Sequence, residues 1–127
     1  MWCCGVRGAI TVPVNDSKSI IAATKELLEE MVRANRIETE DIAAIFFTTT
    51  PDLNAEFPAA AIRDLAWTQQ LALLCGHEMN VPNSLPRCVR VLMLANTEKK
   101  HEEITHIYLG EAKKLLMNKA TTFGDEK

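Results

Sequence analysis

The sequence predicts an α+β fold, a mixed β-sheet with helices packed on one face. Three observations predict it: one long amphipathic helix free of glycine and proline, several β-branched or alternating apolar runs, and the order β-α-β-α-β-β-β in which they follow one another.

Residues 2–12 are β-rich, contain Gly5 and Gly8, and end at Pro13, which marks a first strand. Asn15, Asp16 and Ser17 offer N-cap oxygens for a helix over 18–33. In that helix Ile20, Ala23, Leu27 and Met31 recur at helical spacing, with Lys18, Lys25, Glu29 and Arg33 on the other side. Residues 38–41 form a polar connection of about one helical turn. The run Ile42 to Thr50 reads as a largely buried strand closed by Pro51-Asp52. Pro58 suits the first position of a short helix over 59–66, in which Arg63 and Asp64 are the charged residues. Residues 71–75 form a third strand, and 80–86 a turn-rich segment with Pro82 and Pro86 near its ends. The alternation from Arg87 to Leu94 marks a fourth strand, residues 104–109 a fifth, and 110–117 a short helix. Residues 118–127 are expected to be a loose tail.

The 127 residues fit a single domain, 1–127, able to bury about two-thirds of its unfolded surface without metal or disulfide support. The net charge of −3 disfavours nucleic acid as a partner, yet six arginines suffice to surround one anionic small molecule. The start, Met1-Trp2-Cys3-Cys4-Gly5-Val6-Arg7, shows no basic stretch followed by an apolar one, and no run reaches the roughly 18 apolar residues of a membrane span. Cys3, Cys4, Cys75 and Cys88 are scattered and form no C-x-x-C pair. A cytoplasmic, reduced chain is the simplest reading.

The arginines carry the chemistry. Arg33 and Arg36 fall at a helix end, where a cation suits the dipole. Arg7, between Gly5-Val6 and Gly8, and Arg90, within Cys88-Val89-Arg90-Val91, sit in apolar strands. A guanidinium in such surroundings needs a carboxylate, from the protein or from a ligand. A lone strand arginine is more often an internal ion pair than a ligand site; two near one glutamate improve the functional odds. Glu78, directly after an apolar strand, is a candidate for that glutamate, though its local pattern alone fits a solvated turn. His77, His101 and His106 have no metal-ligand spacing, and Cys75 two residues before His77 is weak geometry for a nucleophile and base. The residues read as an arginine-lined anion site without nucleophile, cofactor loop or metal.

Several blocks together resemble a family. Gly5-Val6-Arg7-Gly8-Ala9-x-Thr11-Val12 is similar to the first strand of the trimeric α/β chorismate mutases, which are unrelated to the all-helical kind. The resemblance continues through Thr50-Pro51-Asp52-Leu53, Phe57-Pro58-Ala59, Ala61-Ile62-Arg63-Asp64-Leu65, Cys75-x-x-Glu78-Met79-x-Val81, Arg87-Cys88-Val89-Arg90-Val91 and His106-Ile107-Tyr108-Leu109. It implies a homotrimeric pseudo-α/β-barrel, chorismate as substrate, prephenate as product in aromatic amino acid biosynthesis, and no cofactor. It places Arg7 against a carboxylate and the hydroxyl side of the substrate, Arg90 beside the ether oxygen and a carboxylate, Glu78 on the hydroxyl, and Tyr108 on a carboxylate. Leu74, Cys75, Gly76 and His77 match a strand end lining the pocket, and Phe57, Ala59 and Arg63 its further binding positions. Phe57 and Arg63 correspond to residues of a neighbouring subunit, so sites lie at subunit interfaces.

The chain departs from the family pattern in two places. Ala60 stands where a basic residue is common, and Leu115-Leu116-Met117-Asn118 where Leu-Arg-Pro-Asp is common. Two rivals remain at this stage: a trimeric imine or enamine hydrolase with one essential arginine, and a regulatory module that binds an aromatic metabolite.

Overall fold

Alternation along the first strand sends Cys4, Val6, Gly8 and Ile10 to one side of the sheet and Gly5, Arg7 and Ala9 to the other. The computed structural model describes residues 1–67 and 70–117. Five strands, β1 (Trp2–Thr11), β2 (Ile42–Thr49), β3 (Ala72–His77), β4 (Cys88–Thr97) and β5 (Ile107–Leu109), form a sheet in the order β3-β2-β4-β1-β5. Strand β4 runs antiparallel to β1 and β2, while β3 and β5 pair in parallel at the two edges, so the sheet is mixed.

Helix α1 (Ser17–Asn35) covers one face. Its Ile20, Leu27, Leu28 and Met31 meet Val6 and Ile10 of β1, Ile45 and Phe47 of β2, and Val89, Val91 and Met93 of β4 in one buried core. Gly8 lies under that helix: a Cβ built there would meet Met31 Sδ at 2.5 Å and Leu27 Cδ1 at 3.1 Å. Gly8→Ala should therefore overpack a fully filled contact and cost about 1–3 kcal/mol, measured by urea unfolding. An unchanged midpoint would show that Met31 shifts freely.

Of the three candidate caps, Asp16 takes the role, accepting from the Ser19 N–H at 2.7 Å, and that bond holds its carboxyl below the usual range. Its neighbours are used elsewhere. Asn15 Oδ1 accepts the N–H groups of Asn54 and Ala55 at 3.1 Å each, and the Ser17 hydroxyl donates to Glu56 at 2.7 Å. These contacts fix the loop that leads to Phe57 and to α2 (Ala60–Asp64).

Several boundaries differ from expectation for identifiable reasons. The helix expected over 59–66 is helical only from Ala60 to Asp64, because 3₁₀-type bonds from Ala60, Ala61 and Ile62 to Phe57, Pro58 and Ala59 tighten its entry and Ala66 turns left-handed at φ 58°. Strand β4 runs to Thr97, since Ala95, Asn96 and Thr97 pair with Cys4, Cys3 and Trp2. Strand β5 is short because buried Asn35 captures Thr105 instead, accepting its N–H at 2.7 Å and donating to its carbonyl at 2.9 Å. After β5, a 3₁₀ turn (Gly110–Lys113) passes into α3 (Lys114–Met117). The tail expected to be loose, 118–127, lies outside the described residues. No helix among the described residues is long and apolar enough to cross a membrane.

Candidate active site

The face of the sheet away from α1 carries the arginines, and its registers show how. Gly76, Thr48, Arg90, Ala9 and Tyr108 stand in one row across all five strands, in the order β3, β2, β4, β1 and β5. The next row reads Leu74, Phe46, Leu92 and Arg7. Arg7 and Arg90 are thus diagonal neighbours on adjacent strands and one face. Arg90 and Tyr108 are two strand spacings apart, roughly 10 Å between backbones, with only the methyl of Ala9 between them. Ala9 itself is covered by Cys88 and Ala112, with Tyr108 and Leu115 beside it, so the C-terminal segment walls this end of the row.

Glu78 completes the constellation. Its backbone N–H donates to the Thr49 carbonyl at 2.7 Å, which carries the β2–β3 pairing past the end of β3. Its carboxylate Oε2 accepts the Thr48 hydroxyl and pairs with Arg90 Nε at 3.6 Å. Glu78 is therefore no solvated turn residue. Across a row of the sheet it joins the strand that carries Arg90.

The start of β4 is set by a latch. Both Asp52 carboxylate oxygens accept the Arg87 N–H, at 3.1 and 3.0 Å, and Arg87 Nε donates to the Val12 carbonyl at 2.9 Å. Arg87 holds a left-handed φ of 46° in doing so. Its guanidinium thus serves the fold at the mouth of the row, three residues before Arg90.

The remaining predicted residues fall into two sets. Leu74 and Gly76 share the open face with Arg90, and a Cβ at Gly76 would meet nothing within 4 Å. Cys75 and His77 alternate to the helix side: Cys75 packs on the main core near Ala59, and His77 Nδ1 meets the Thr49 hydroxyl at 3.0 Å. Phe57, 71% exposed, precedes Ala59 and α2, where Arg63 is also exposed. One chain therefore brings Arg7, Arg90, Glu78 and Tyr108 together on one face, while Cys75 and His77 turn to the helix side, where Ala59 meets Cys75 and α2, carrying Arg63, packs on α1. A cavity of about 250 Å³ beyond the end of β1, lined by residues 11–13, 85–87 and Glu111, contains none of them.

Burial pushes the Cys75 thiol up, only partly opposed by a hydrogen bond at Ala59. At neutral pH it is a protonated thiol rather than a nucleophile. Cys75→Ala should accordingly leave substantial turnover, a drop of less than about tenfold, and a loss as large as that from removing Arg90 would overturn this assignment. Burial also raises the Cys88 thiol, while nearby Arg90 draws it the other way.

Two guanidiniums, a carboxylate and a phenol on one face are suited to holding a small dianion and to stabilising charge that develops on one of its oxygens. Thr48 and Asp52 were not legible as site residues. Thr48 read as part of a buried strand, and only its alternation with core-facing Phe47 and Thr49 signals the open face; Asp52 carried its signal within Thr50-Pro51-Asp52.

Comparison with known proteins points the same way. Residues 3–118 match the family described as chorismate mutase type I. The chain is 46% identical over 112 residues to chorismate mutase AroH of Thermus thermophilus, covering 87% of this chain and 91% of that protein. It is 39% identical over 105 residues to chorismate mutase AroH of Bacillus subtilis, covering 83% of each. The solved structure of a chorismate mutase from Clostridium thermocellum superposes with a TM-score of 0.84 at 46% identity, covering 87% of this chain and 97% of that one.

Proposed function

The chain belongs to the type I chorismate mutase family, and we propose that it rearranges chorismate to prephenate at sites shared between the subunits of a cytoplasmic homotrimer. The observation that carries this reading is the Arg90–Glu78 pair in contact on the same sheet face as Arg7 and Tyr108. Chorismate mutase activity serves aromatic amino acid biosynthesis.

The reaction is unimolecular: the ether C–O bond breaks as a C–C bond forms within one molecule, with no proton or electron entering or leaving. The protein must hold the compact reacting conformer and stabilise negative charge growing on the ether oxygen. Arg90 is assigned to that oxygen and to a neighbouring carboxylate, since its charge is permanent and its fork serves two oxygens at once. Arg7 takes a carboxylate, Tyr108 donates to a carboxylate, and Glu78 accepts the substrate hydroxyl while pairing Arg90. Leu74 and Gly76 line the floor.

The trimer is supported by what one chain leaves open. Phe57, Leu74 and Met79 are 71%, 62% and 82% exposed, apolar side chains that a monomer would leave in water. Phe57 and Arg63 are exposed outside the open face, and they would stand beside a neighbour's Arg90 if copies pack sheet to sheet around a three-fold axis. The whole chain, 1–127, acts as one domain in this assembly, and no cofactor takes part.

Incubation of the purified protein with chorismate, followed by loss of chorismate absorbance and identification of prephenate, tests the activity. Undiminished turnover after chelation is expected. No prephenate would overturn the reading, and an imine hydrolase or a metabolite-binding module would leave chorismate unchanged.

A further inference from the structure

Arg7, Arg90, Glu78 and Tyr108 leave one question open, which is what holds the Glu78 carboxylate in place. Glu78 lies beyond the last paired residue of β3, in the approach to the turn-rich segment 80–86, where Met79 is 82% exposed. A glutamate there has three rotatable side-chain bonds, and the 3.6 Å ion pair to a half-exposed Arg90 is a weak constraint on them.

We infer that Thr48 is the positioning residue of this site: its hydroxyl fixes the Glu78 carboxylate and thereby fixes which oxygen faces Arg90 and which meets the substrate. Thr48 stands between Gly76 and Arg90 in the row across the sheet, on the open face. The hydroxyl has a single proton, and it goes to Oε2, the same oxygen that pairs with Arg90 Nε. With Oε2 held by both groups, Oε1 is the oxygen presented to the substrate hydroxyl. The backbone bond from Glu78 to Thr49 anchors the other end of the side chain. Thr48 sits on an interior strand paired on both sides, so the geometry it imposes is that of the sheet rather than of the loop.

This inference rests on the mutase reading, and wild-type turnover of chorismate is the first arm of its test. The decisive variant is Thr48→Val, which keeps the branched shape and strand preference but removes the donor. It should lower kcat/KM by about tenfold or more, most of it in kcat, with little change in thermal midpoint. Thr48→Ser should recover most of the loss. In a Glu78→Ala background the same Thr48→Val change should cost less than about twofold, since the side chain it positions is already gone. Should Thr48→Val not fold, Thr48→Ala compared with Thr48→Ser supplies the same contrast. An active wild type with Thr48→Val within about twofold of it would overturn the inference, as would an equal loss in both Glu78 backgrounds. A wild type inactive on chorismate would overturn the mutase reading instead.

Discussion

Arg90→Lys should lower kcat by roughly 10²–10³, about 3–4 kcal/mol, with a much smaller change in KM. Lysine keeps the positive charge, so simple attraction of a dianion survives. Its ammonium is compact, however, and cannot reach an ether oxygen and a carboxylate with two parallel donors while a further N–H faces Glu78. The interaction lost is the one that strengthens as the C–O bond breaks, which places the deficit in kcat. If Arg90 were only a clamp for the bound substrate, KM would rise and kcat would hold. If it were only the ion-pair partner of Glu78, the variant would unfold more readily while its folded fraction turned over normally. Steady-state kinetics on a variant shown by circular dichroism to be folded separates these outcomes, and a folded variant with near wild-type kcat would refute the assignment.

The fold was legible where residues answer to local rules. The helical spacing of Ile20, Leu27 and Met31 and the oxygen of Asp16 specify α1 within a few residues, and β-branched runs specify β1 and β2. The errors occur where a distant partner decides. Residues 95–97 extend β4 because the start of β1 lies opposite, with Ile42 of β2 also facing Ala95, and Thr105 leaves the β5 ladder because buried Asn35 of α1 takes both its backbone groups. The same division runs through the site. Arg7 and Arg90 stood out because a guanidinium in an apolar strand demands a partner. Thr48 did not, because its partner is 30 residues away and the contact depends on register across β2, β3 and β4. Cys75 shows a further limit: sequence places it beside Leu74 and Gly76, yet alternation turns it to the opposite side of the sheet.

That alternation gives the assembly its sharpest test, Phe46→Asp. Phe46 lies on the open face between Leu74 and Leu92, and the three are 37%, 62% and 39% exposed in a single chain. On the core side of the same strand, Ile45 and Phe47 are buried and untouched by the change. In an isolated subunit an aspartate at position 46 stays in contact with water, so the fold should survive with a loss of only about 1 kcal/mol. In a trimer whose subunits pack by this face, the carboxylate would be enclosed among leucines of its own chain and a neighbour, at a cost of several kcal/mol per copy. Association should fail, and with it every site that needs Phe57 and Arg63 from one chain beside Arg90 of another. The expected result is a folded monomer by light scattering and circular dichroism with activity lowered by at least about 10³. A monomer that still converts chorismate would show that one chain builds a complete site, and a trimer of unchanged activity would show that subunits meet through some other surface.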